Sequence, residues 1–316
     1  MSSGPRLTVL VVGMARSGTS ATTELLASHG LDLPNPSDLM PGDDSNEHGY
    51  FESINLSVFN ELLLSELGGS LTDPPMLEQG WEWDPSLATF RTEARRLFDA
   101  TFPKAGASIW KDPRLSLLLP FWRGVLADHA LAGVLAWRQP KEVVRSFNAH
   151  LAAVMKEQFS ESVPDGLLGR TLRAHGTSLS TAHGLALWER CNRDALIGLR
   201  GLPVFVSSYT SLLHDPGDVT RLTGAWLGAL RERTQMDRPE CAAPVEPSLC
   251  HQHDASTDGL DESQLILLAL LRDLPEVNER LLQLRLPPVS PRSISALNSA
   301  HLREFQFLRP SLRSCG

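Results

Sequence analysis

The residues with the clearest chemical potential form a short loop near the N-terminus. Residues 13–20, G-M-A-R-S-G-T-S, follow the apolar run Leu7–Val12 and precede a stretch of helical composition. The backbone N–H groups of such a loop and the positive end of the helix dipole attract an anion. The spacing matches a nucleotide-binding phosphate loop, but Thr19 stands where that loop carries its lysine. We therefore predict an anion site with Arg16 as its cation, and a ligand other than an NTP γ-phosphate with its Mg²⁺.

Cations also follow two later apolar runs. Lys111 begins the sequence K-D-P-R directly after the run 107–110, and Arg138 directly follows the run 131–137. A helical pattern starts two residues after Arg138 with proline at its favoured first position, and Ser146 lies two turns into it. Each group taken alone is also compatible with a solvated turn or a capped helix.

Side chains that could move a proton occur just before the second helical pattern. Residues 48–52 read H-G-Y-F-E, which places His48 and Glu52 in a glycine-containing loop. A carboxylate in such a loop is commonly a helix cap or a surface group, so its own context leaves its role open. The aromatic residues that could line a ligand cleft are Tyr50, Phe51, Trp81, Trp83 and Trp110.

These groups need a scaffold that brings distant parts of the chain together, and the apolar pattern predicts one. Short aliphatic runs indicate buried strands at 7–12, 107–110, 131–137 and 203–207. Helical patterns alternate with them at 19–29, 55–67, 86–100, 115–126, 140–155, 183–199, 218–230, 261–271 and 277–284. This alternation predicts an α/β fold, a P-loop-like doubly wound parallel sheet with helices on both faces. Ligands of such sheets bind at the carboxyl ends of the strands, where the candidate cations fall.

We expect a single domain with helical insertions. Residues 1–235 carry the predicted binding core, and the polar, glycine-containing stretch 156–180 within it is a candidate lid. Residues 236–316 begin with a proline-rich segment and continue into C-terminal helices that we expect to pack on the core. The oligomeric state does not follow from the sequence.

Composition argues against several classes of function. The net charge of −8 disfavours a nucleic-acid polymer as a partner, because such a partner requires a basic face. No apolar run approaches the roughly 20 residues of a membrane span, and the N-terminus lacks the basic region of a signal peptide. The four cysteines show no metal-ligand spacing, which is typical of unpaired thiols in a reducing compartment. We therefore expect a cytoplasmic protein.

Taken together, the motifs resemble those of the sulfotransferases that use 3′-phosphoadenosine 5′-phosphosulfate (PAPS). R-S-G-T-S at 16–20 is similar to that family's 5′-phosphosulfate loop, K/R-S-G-T-T/S. R-Q-P-K-E-V-V-R-S at 138–146 matches its 3′-phosphate motif, R-x-P-x-[D/E]-V-x-x-S, at every defined position. Y-T-S-L-L-H-D-P at 209–216 resembles its Y-E-D-L-x-x-D-P segment, with Thr210 and Ser211 replacing the acidic pair.

The resemblance implies transfer of a sulfuryl group from PAPS to a hydroxyl acceptor, which is a small molecule, a glycan or a natural product. The residues implied to hold PAPS are Arg16, Ser17, Gly18, Thr19 and Ser20 at its 5′ end and Arg138 and Ser146 at its 3′-phosphate. Arg16 and Lys111 are implied to neutralise charge on the leaving oxygen during in-line displacement. Sulfate carries less charge than a γ-phosphate, so no metal ion is expected.

The resemblance also points to a base. The K-D-P sequence at Lys111 is similar to the tyrosylprotein branch of the family rather than to the cytosolic branch, whose K-T-H supplies a histidine. The base of the tyrosylprotein branch is a glutamate in the loop after the first helix, and Glu52 is the matching residue. His48 and then Asp112 are the alternatives.

Two other functions are compatible with the loop. A kinase or NTPase with an unusual phosphate loop predicts ATP binding and Mg²⁺ dependence, but it leaves Arg138 and Ser146 without a role. A non-catalytic nucleotide-binding protein of the same fold predicts binding of a 3′,5′-bisphosphate without transfer. Ligand binding therefore distinguishes the three functions.

Overall fold

A five-stranded sheet forms the centre of the molecule. The computed structural model describes residues 5–42, 49–103, 106–158, 178–234, 255–278, 281 and 284–297. The strands are β1 (Leu7–Val12), β2 (Ser108–Lys111), β3 (Ala130–Trp137), β4 (Val204–Ser208) and β5 (Val277–Asn278). Their order is β2-β1-β3-β4-β5; the first four are parallel, and β5 is antiparallel to β4.

Helices connect the parallel strands. They are α1 (Thr19–Ser28), α2 (Ile54–Glu66), α3 (Ala88–Thr101), α4 (Leu115–Val125), α5 (Pro140–Gln158), α6 (Thr181–Gly198), α7 (Tyr209–His214), α8 (Pro216–Thr234) and α9 (Glu262–Asp273). Residues 291–297 are also helical. Serine hydroxyls cap three of them: Ser53 accepts from the backbone N–H of Leu56 in α2, Ser180 from that of His183 in α6, and Ser208 from that of Ser211 in α7.

The helices cover both faces of the sheet because its strands are apolar on both sides. Alternate residues of β1 point to opposite faces, so Leu10 and Val12 join one buried cluster while Val9 and Val11 join another. The larger cluster contains side chains of α2 to α6 and α9, and the smaller contains side chains of α1 and α8. The predicted α/β fold with helices on both faces is confirmed.

The last strand of the sheet, β5, differs from the prediction. The helix predicted at 277–284 is wrong at its start, because Val277–Asn278 forms β5. The backbone N–H of Val206 donates to the carbonyl oxygen of Glu276 over 2.7 Å. An edge strand exposes unpaired backbone groups, and this pairing satisfies some of those on β4. The sheet is therefore mostly rather than entirely parallel.

Some predictions concern residues outside the described part of the chain. They are His48, most of the candidate lid at 156–180, and the proline-rich segment up to residue 254. Among the described cysteines, Cys191 is buried and forms no disulfide, and burial raises the pKa of its thiol to about 12. Within the described ranges, no helix combines the length and the apolar character that crossing a membrane requires.

Candidate active site

The predicted binding residues follow three neighbouring strands. β1 lies between β2 and β3 in parallel register, so the loop after β1 is flanked by Lys111 and Arg138. The backbone N–H of Gly13 donates to Ser116 Oγ over 2.9 Å, which joins the loop to the first turn of α4. Three segments that are distant in sequence thus meet at the carboxyl ends of neighbouring parallel strands.

Two glycines shape the loop. Gly13 and Gly18 have φ angles of 144° and 86°. An added Cβ on Gly13 would lie 2.1 Å from the carbonyl oxygen of Ala136, and one on Gly18 would lie 2.3 Å from Cδ2 of Tyr209. Both positions therefore require glycine. Gly18 precedes α1 and offers no side chain as a cap, so the first N–H groups of the helix are suited to an anion.

Ser17 adds a hydroxyl to the same loop. Its side chain is 1% exposed, and its Oγ has no hydrogen-bond partner among the described residues. Its backbone N–H donates to the carbonyl oxygen of Met14 over 3.1 Å, which closes the turn. Buried hydroxyls normally have a partner, so this one is suited to a ligand oxygen.

Arg16 connects the loop to α5. It adopts a left-handed backbone conformation, with φ of 72°, and its Nε donates to Ser146 Oγ over 3.2 Å. The two residues are 130 positions apart. The side chain of Arg16 therefore lies beside the predicted 3′-phosphate residue, whereas sequence reasoning assigned it to the 5′ end.

Arg138 is a buried cation at the end of β3. It is 5% exposed, its Nε donates to Glu142 Oε2 over 2.9 Å, and its Cζ lies 4.4 Å from the centre of the Tyr209 ring. The indole N–H of Trp188 donates to its carbonyl oxygen over 3.1 Å. These contacts hold the guanidinium in one orientation and balance its charge with a carboxylate.

Lys111 joins the phosphate loop to the loop that carries the predicted base. It is 2% exposed, and its Nζ lies 2.5 Å from Glu52 Oε1, 2.9 Å from the carbonyl oxygen of Tyr50 and 3.2 Å from Ser20 Oγ. A buried ammonium requires such partners to offset the loss of hydration. One lysine thus contacts both halves of the candidate site.

The segment before α2 holds Glu52 in place. Phe51 has a φ of 55°, an uncommon conformation for a side chain of this size. The carbonyl oxygen of Glu52 accepts from the N–H of Met40 over 2.8 Å, and Ser53 donates to the Asp38 carboxylate. Backbone strain of this kind persists only where surrounding contacts enforce it, and it is frequent at functional sites.

Arg114 lies beneath Glu52 in a cluster of buried charges. Its guanidinium is 2.9 Å from Glu61, 3.0 Å from Asp112 and 3.8 Å from Glu52. Burial by itself lowers the pKa of Arg114, but the three carboxylates more than offset it, so the pKa lies above its ordinary value. The cluster keeps this arginine charged under all ordinary conditions.

Asp112, the third candidate base, is fully enclosed by the same cluster. Its Oδ1 accepts from Arg114, and its Oδ2 accepts from the Asn60 side chain over 2.9 Å. Asn60 in turn accepts from the indole N–H of Trp122 over 2.7 Å. Both carboxylate oxygens of Asp112 are engaged, as are those of Glu52, so the choice between them as base stays a prediction.

The aromatic candidates separate into core and site residues. Trp110 is fully buried and packs edge-on against Trp122 with ring centres 4.4 Å apart, so it cannot line a cleft. Trp81 stacks on Phe121. The ring of Tyr50 lies 5.9 Å from Lys111 Nζ, which places it beside a candidate catalytic residue.

Sequence reasoning missed several residues that contact the site. Ser116 and Tyr209 shape the loop, and His150 of α5 packs on Tyr50 with ring centres 6.0 Å apart. Tyr209 belonged to a segment with a recognised resemblance, and Arg114 belonged to K-D-P-R, so both carried a signal. Ser116 and His150 carried none, because only the folded chain brings them to the site.

Comparison with known proteins gives matches among solved structures. No protein-family model matches the chain, and no curated protein matches its sequence. The sulfotransferase domain of the Synechococcus PCC 7002 olefin synthase is 15% identical, covers 94% of each chain and has a TM-score of 0.39. This match extends over nearly the whole of both chains.

Two mycobacterial sulfotransferases are also similar. STF9 from Mycobacterium avium is 13% identical with a TM-score of 0.40, and the match covers 89% of this chain and 79% of that one. STF1 from Mycobacterium tuberculosis H37Rv is 15% identical with a TM-score of 0.32, and the match covers 74% and 72%. At these values the similarity concerns the general α/β fold and not the arrangement of the site.

Proposed function

We propose that this chain is a sulfotransferase that takes the sulfuryl group of PAPS and transfers it to a hydroxyl of a small molecule, glycan or natural product. The contact of Arg16 with Ser146 carries the proposal, because it joins the two motifs that resemble the 5′ and 3′ halves of a PAPS site. Lys111 lies at the same sheet edge and contacts Ser20 at the end of the loop.

The residues present suit PAPS chemically. The start of α1 and the unpartnered hydroxyl of Ser17 provide donors for a 5′-phosphosulfate. Arg138 and Ser146, which are 5% and 9% exposed, provide a charged and a neutral donor for a 3′-phosphate. A 3′-phosphate is the group that separates PAPS from ATP.

In the reaction, the acceptor oxygen bonds to sulfur as the bond from sulfur to the 5′-phosphate oxygen breaks. The departing bisphosphate gains negative charge at its 5′ oxygen, and we assign Lys111, which contacts Ser20 of the loop, to neutralise it. Arg16, whose Nε contacts Ser146, is assigned to the 3′ side of the same bisphosphate. The acceptor proton passes to Glu52, whose carboxylate Lys111 holds at 2.5 Å. The products are adenosine 3′,5′-bisphosphate and the sulfate ester of the acceptor, and the hydroxyl proton is left on Glu52.

A ligand titration tests the proposal. We expect adenosine 3′,5′-bisphosphate to stabilise the protein against heating without EDTA sensitivity, by about 2.7 kcal/mol at 100 times its Kd. Stabilisation by Mg-ATP alone would indicate a kinase or NTPase. Binding of the bisphosphate without transfer of radiolabelled sulfate to any acceptor would indicate a non-catalytic protein.

A variant tests the 3′-phosphate residues separately. Arg138→Ala should weaken the binding of adenosine 3′,5′-bisphosphate by about 10- to 100-fold, because a charge-assisted hydrogen bond to the 3′-phosphate is lost. It should leave the affinity for adenosine 5′-phosphosulfate, which has no 3′-phosphate, within about twofold. An equal loss for both ligands would contradict the assignment.

The assignment of the base has its own test. Glu52→Gln should lower the rate of transfer by about 100-fold or more while leaving bisphosphate affinity intact, since a positioned base contributes in that range. Glu66→Gln, an exposed residue at the end of α2, is the control. Near-normal transfer by the Glu52 variant would remove Glu52 from the mechanism.

A further inference from the structure

His150 lies on the wall of the candidate site formed by α5. It follows Ser146 by four residues, and residues at that spacing share one face of a helix. Arg16 contacts Ser146 from the phosphate loop, so this face of α5 is turned toward the predicted PAPS site. The residue is half-buried.

Tyr50 connects His150 to the predicted catalytic pair. Its ring lies 6.0 Å from the His150 ring, centre to centre, and 5.9 Å from Lys111 Nζ. Its carbonyl oxygen accepts from the same Lys111 Nζ over 2.9 Å, and Glu52 is two residues further along the chain. The imidazole and the ammonium thus both lie about 6 Å from one aromatic ring, and the ammonium also holds the Glu52 carboxylate.

The contacts of Glu52 restrict its carboxylate, so a second group could help to orient the acceptor. Its Oε1 is held by Lys111, and its Oε2 lies 3.4 Å from Ser57 Oγ and 3.8 Å from Arg114. A carboxylate held on both oxygens and 6% exposed has little freedom to orient an incoming molecule. An imidazole at the rim can do so, since its neutral form accepts a hydrogen bond from a hydroxyl.

We propose that His150 is an acceptor-contacting residue, whose neutral imidazole accepts a hydrogen bond from the acceptor hydroxyl and orients its oxygen toward the sulfur. The proposal rests on the proposed sulfuryl transfer and adds a residue to it. Tyr50 and His150 then form the acceptor side of the site, next to the end of the phosphate loop, where Ser20 Oγ donates to the carbonyl oxygen of Tyr50 over 3.4 Å. The proton still leaves the acceptor toward Glu52.

Kinetics of two His150 variants test this role. Transfer of radiolabelled sulfate from PAPS to 2-naphthol, to an alkyl glucoside and to water is measured for His150→Gln and His150→Phe. His150→Phe should lose about 10-fold or more in kcat/KM for the acceptor, because a phenyl ring offers no acceptor nitrogen to the hydroxyl, with KM for PAPS unchanged. His150→Gln keeps an amide oxygen that can accept the same hydrogen bond, so it should lose less than His150→Phe. His214→Gln, an exposed histidine at the end of α7, is the control and should behave as wild type.

The pH profile separates hydrogen bonding from packing. Protonation of an imidazole removes its acceptor nitrogen, so wild-type transfer should fall as the pH drops through the range in which histidine titrates. His150→Gln should lack that fall. His150→Phe keeps a ring against Tyr50, so full activity in this variant would show a packing role and overturn the proposal.

The outcomes distinguish this proposal from the function on which it rests. Unchanged acceptor kinetics in both variants, with transfer intact, would overturn the role of His150 and leave the sulfotransferase proposal standing. Wild-type protein that binds no bisphosphate, or that transfers sulfate to none of the three acceptors, would overturn both.

Discussion

At the scale of single residues, the candidate site is built on buried charges that neutralise one another. Lys111, Glu52 and Arg114 are each less than 9% exposed, and they contact one another through the carboxylate of Glu52. Burying an ion is favourable only when its partners are in place, so loss of one member affects the others. The cluster also fixes the position of the cation that we assign to the leaving oxygen.

Substitution of Lys111 should therefore affect both stability and activity. Lys111→Met should destabilise the protein by about 3 to 5 kcal/mol, because Glu52 is left buried without its partner. Transfer should fall by about 100- to 1,000-fold through loss of the cation. The measurements are chemical denaturation and transfer of radiolabelled sulfate.

A double variant separates the two effects. Adding Glu52→Gln to Lys111→Met removes the uncompensated charge, so most of the lost stability should return while transfer stays low. A single Lys111→Met variant within about 1 kcal/mol of wild type would contradict the predicted dependence of Glu52 on its partner.

At the scale of elements, the strand–loop–helix unit at the N-terminus depends on contacts from the rest of the sheet. Gly13 packs against the backbone of β3, and Gly18 packs against the ring of Tyr209 after β4. The loop conformation is thus determined by two strands that follow it by more than 100 residues. Any side chain at either glycine displaces one of those neighbours.

Replacement of Gly18 by alanine tests this dependence. Gly201 is the matched control, because its φ is 80° and nothing lies within 4 Å of an added Cβ. Gly201→Ala should cost only the strain of a left-handed alanine, about 1–2 kcal/mol. Gly18→Ala should cost about 1–3 kcal/mol more through its clash with Tyr209 and should also weaken bisphosphate binding.

Thermal denaturation and bisphosphate titration measure both variants. Equal destabilisation of the two variants would show that the Tyr209 ring moves away from the added Cβ without a loss of stability. Retained bisphosphate affinity in Gly18→Ala would argue against this loop as the 5′ end of the site.

At the scale of the whole molecule, the described C-terminal residues pack on the same core as the sheet. Leu267 and Leu271 of α9 belong to the larger apolar cluster. Glu189 of α6 is fully buried and accepts hydrogen bonds from Ser263 over 2.7 Å and from Ser293 over 2.5 Å. One carboxylate thus connects the core to two C-terminal segments.

Removal of this carboxylate should weaken the attachment of both segments. Glu189→Ala leaves the hydroxyls of Ser263 and Ser293 without this acceptor, which should cost about 2 to 4 kcal/mol in the free energy of unfolding. Bisphosphate affinity should be retained, since Glu189 contacts none of the predicted binding residues among its recorded hydrogen bonds.

Glu66→Ala, an exposed glutamate of α2, serves as the control and should change stability by less than about 0.5 kcal/mol. A Glu189→Ala variant as stable as this control would mean that α9 packs on the core without help from the buried carboxylate.

The sequence by itself determined the local elements and the spacing of the motifs. The apolar runs predicted β1 to β4, and the helical patterns predicted α1 to α6, α8 and α9 within a few residues, because both depend on short-range periodicity. The parallel order placed the phosphate loop, Lys111 and Arg138 at one sheet edge. The use of PAPS as donor, the hydroxyl acceptor and the role of Glu52 as base stay predictions.

Only the tertiary structure decided which side chains meet. The contact of Arg16 with Ser146, the cluster around Arg114 and the place of His150 beside Tyr50 join residues that are 50 to 130 positions apart. The antiparallel pairing of β5 likewise depends on the edge that β4 offers. Periodicity in the sequence indicates which face of an element is apolar. Contacts between side chains that are distant in sequence depend on how the elements pack, and that packing depends on the whole chain.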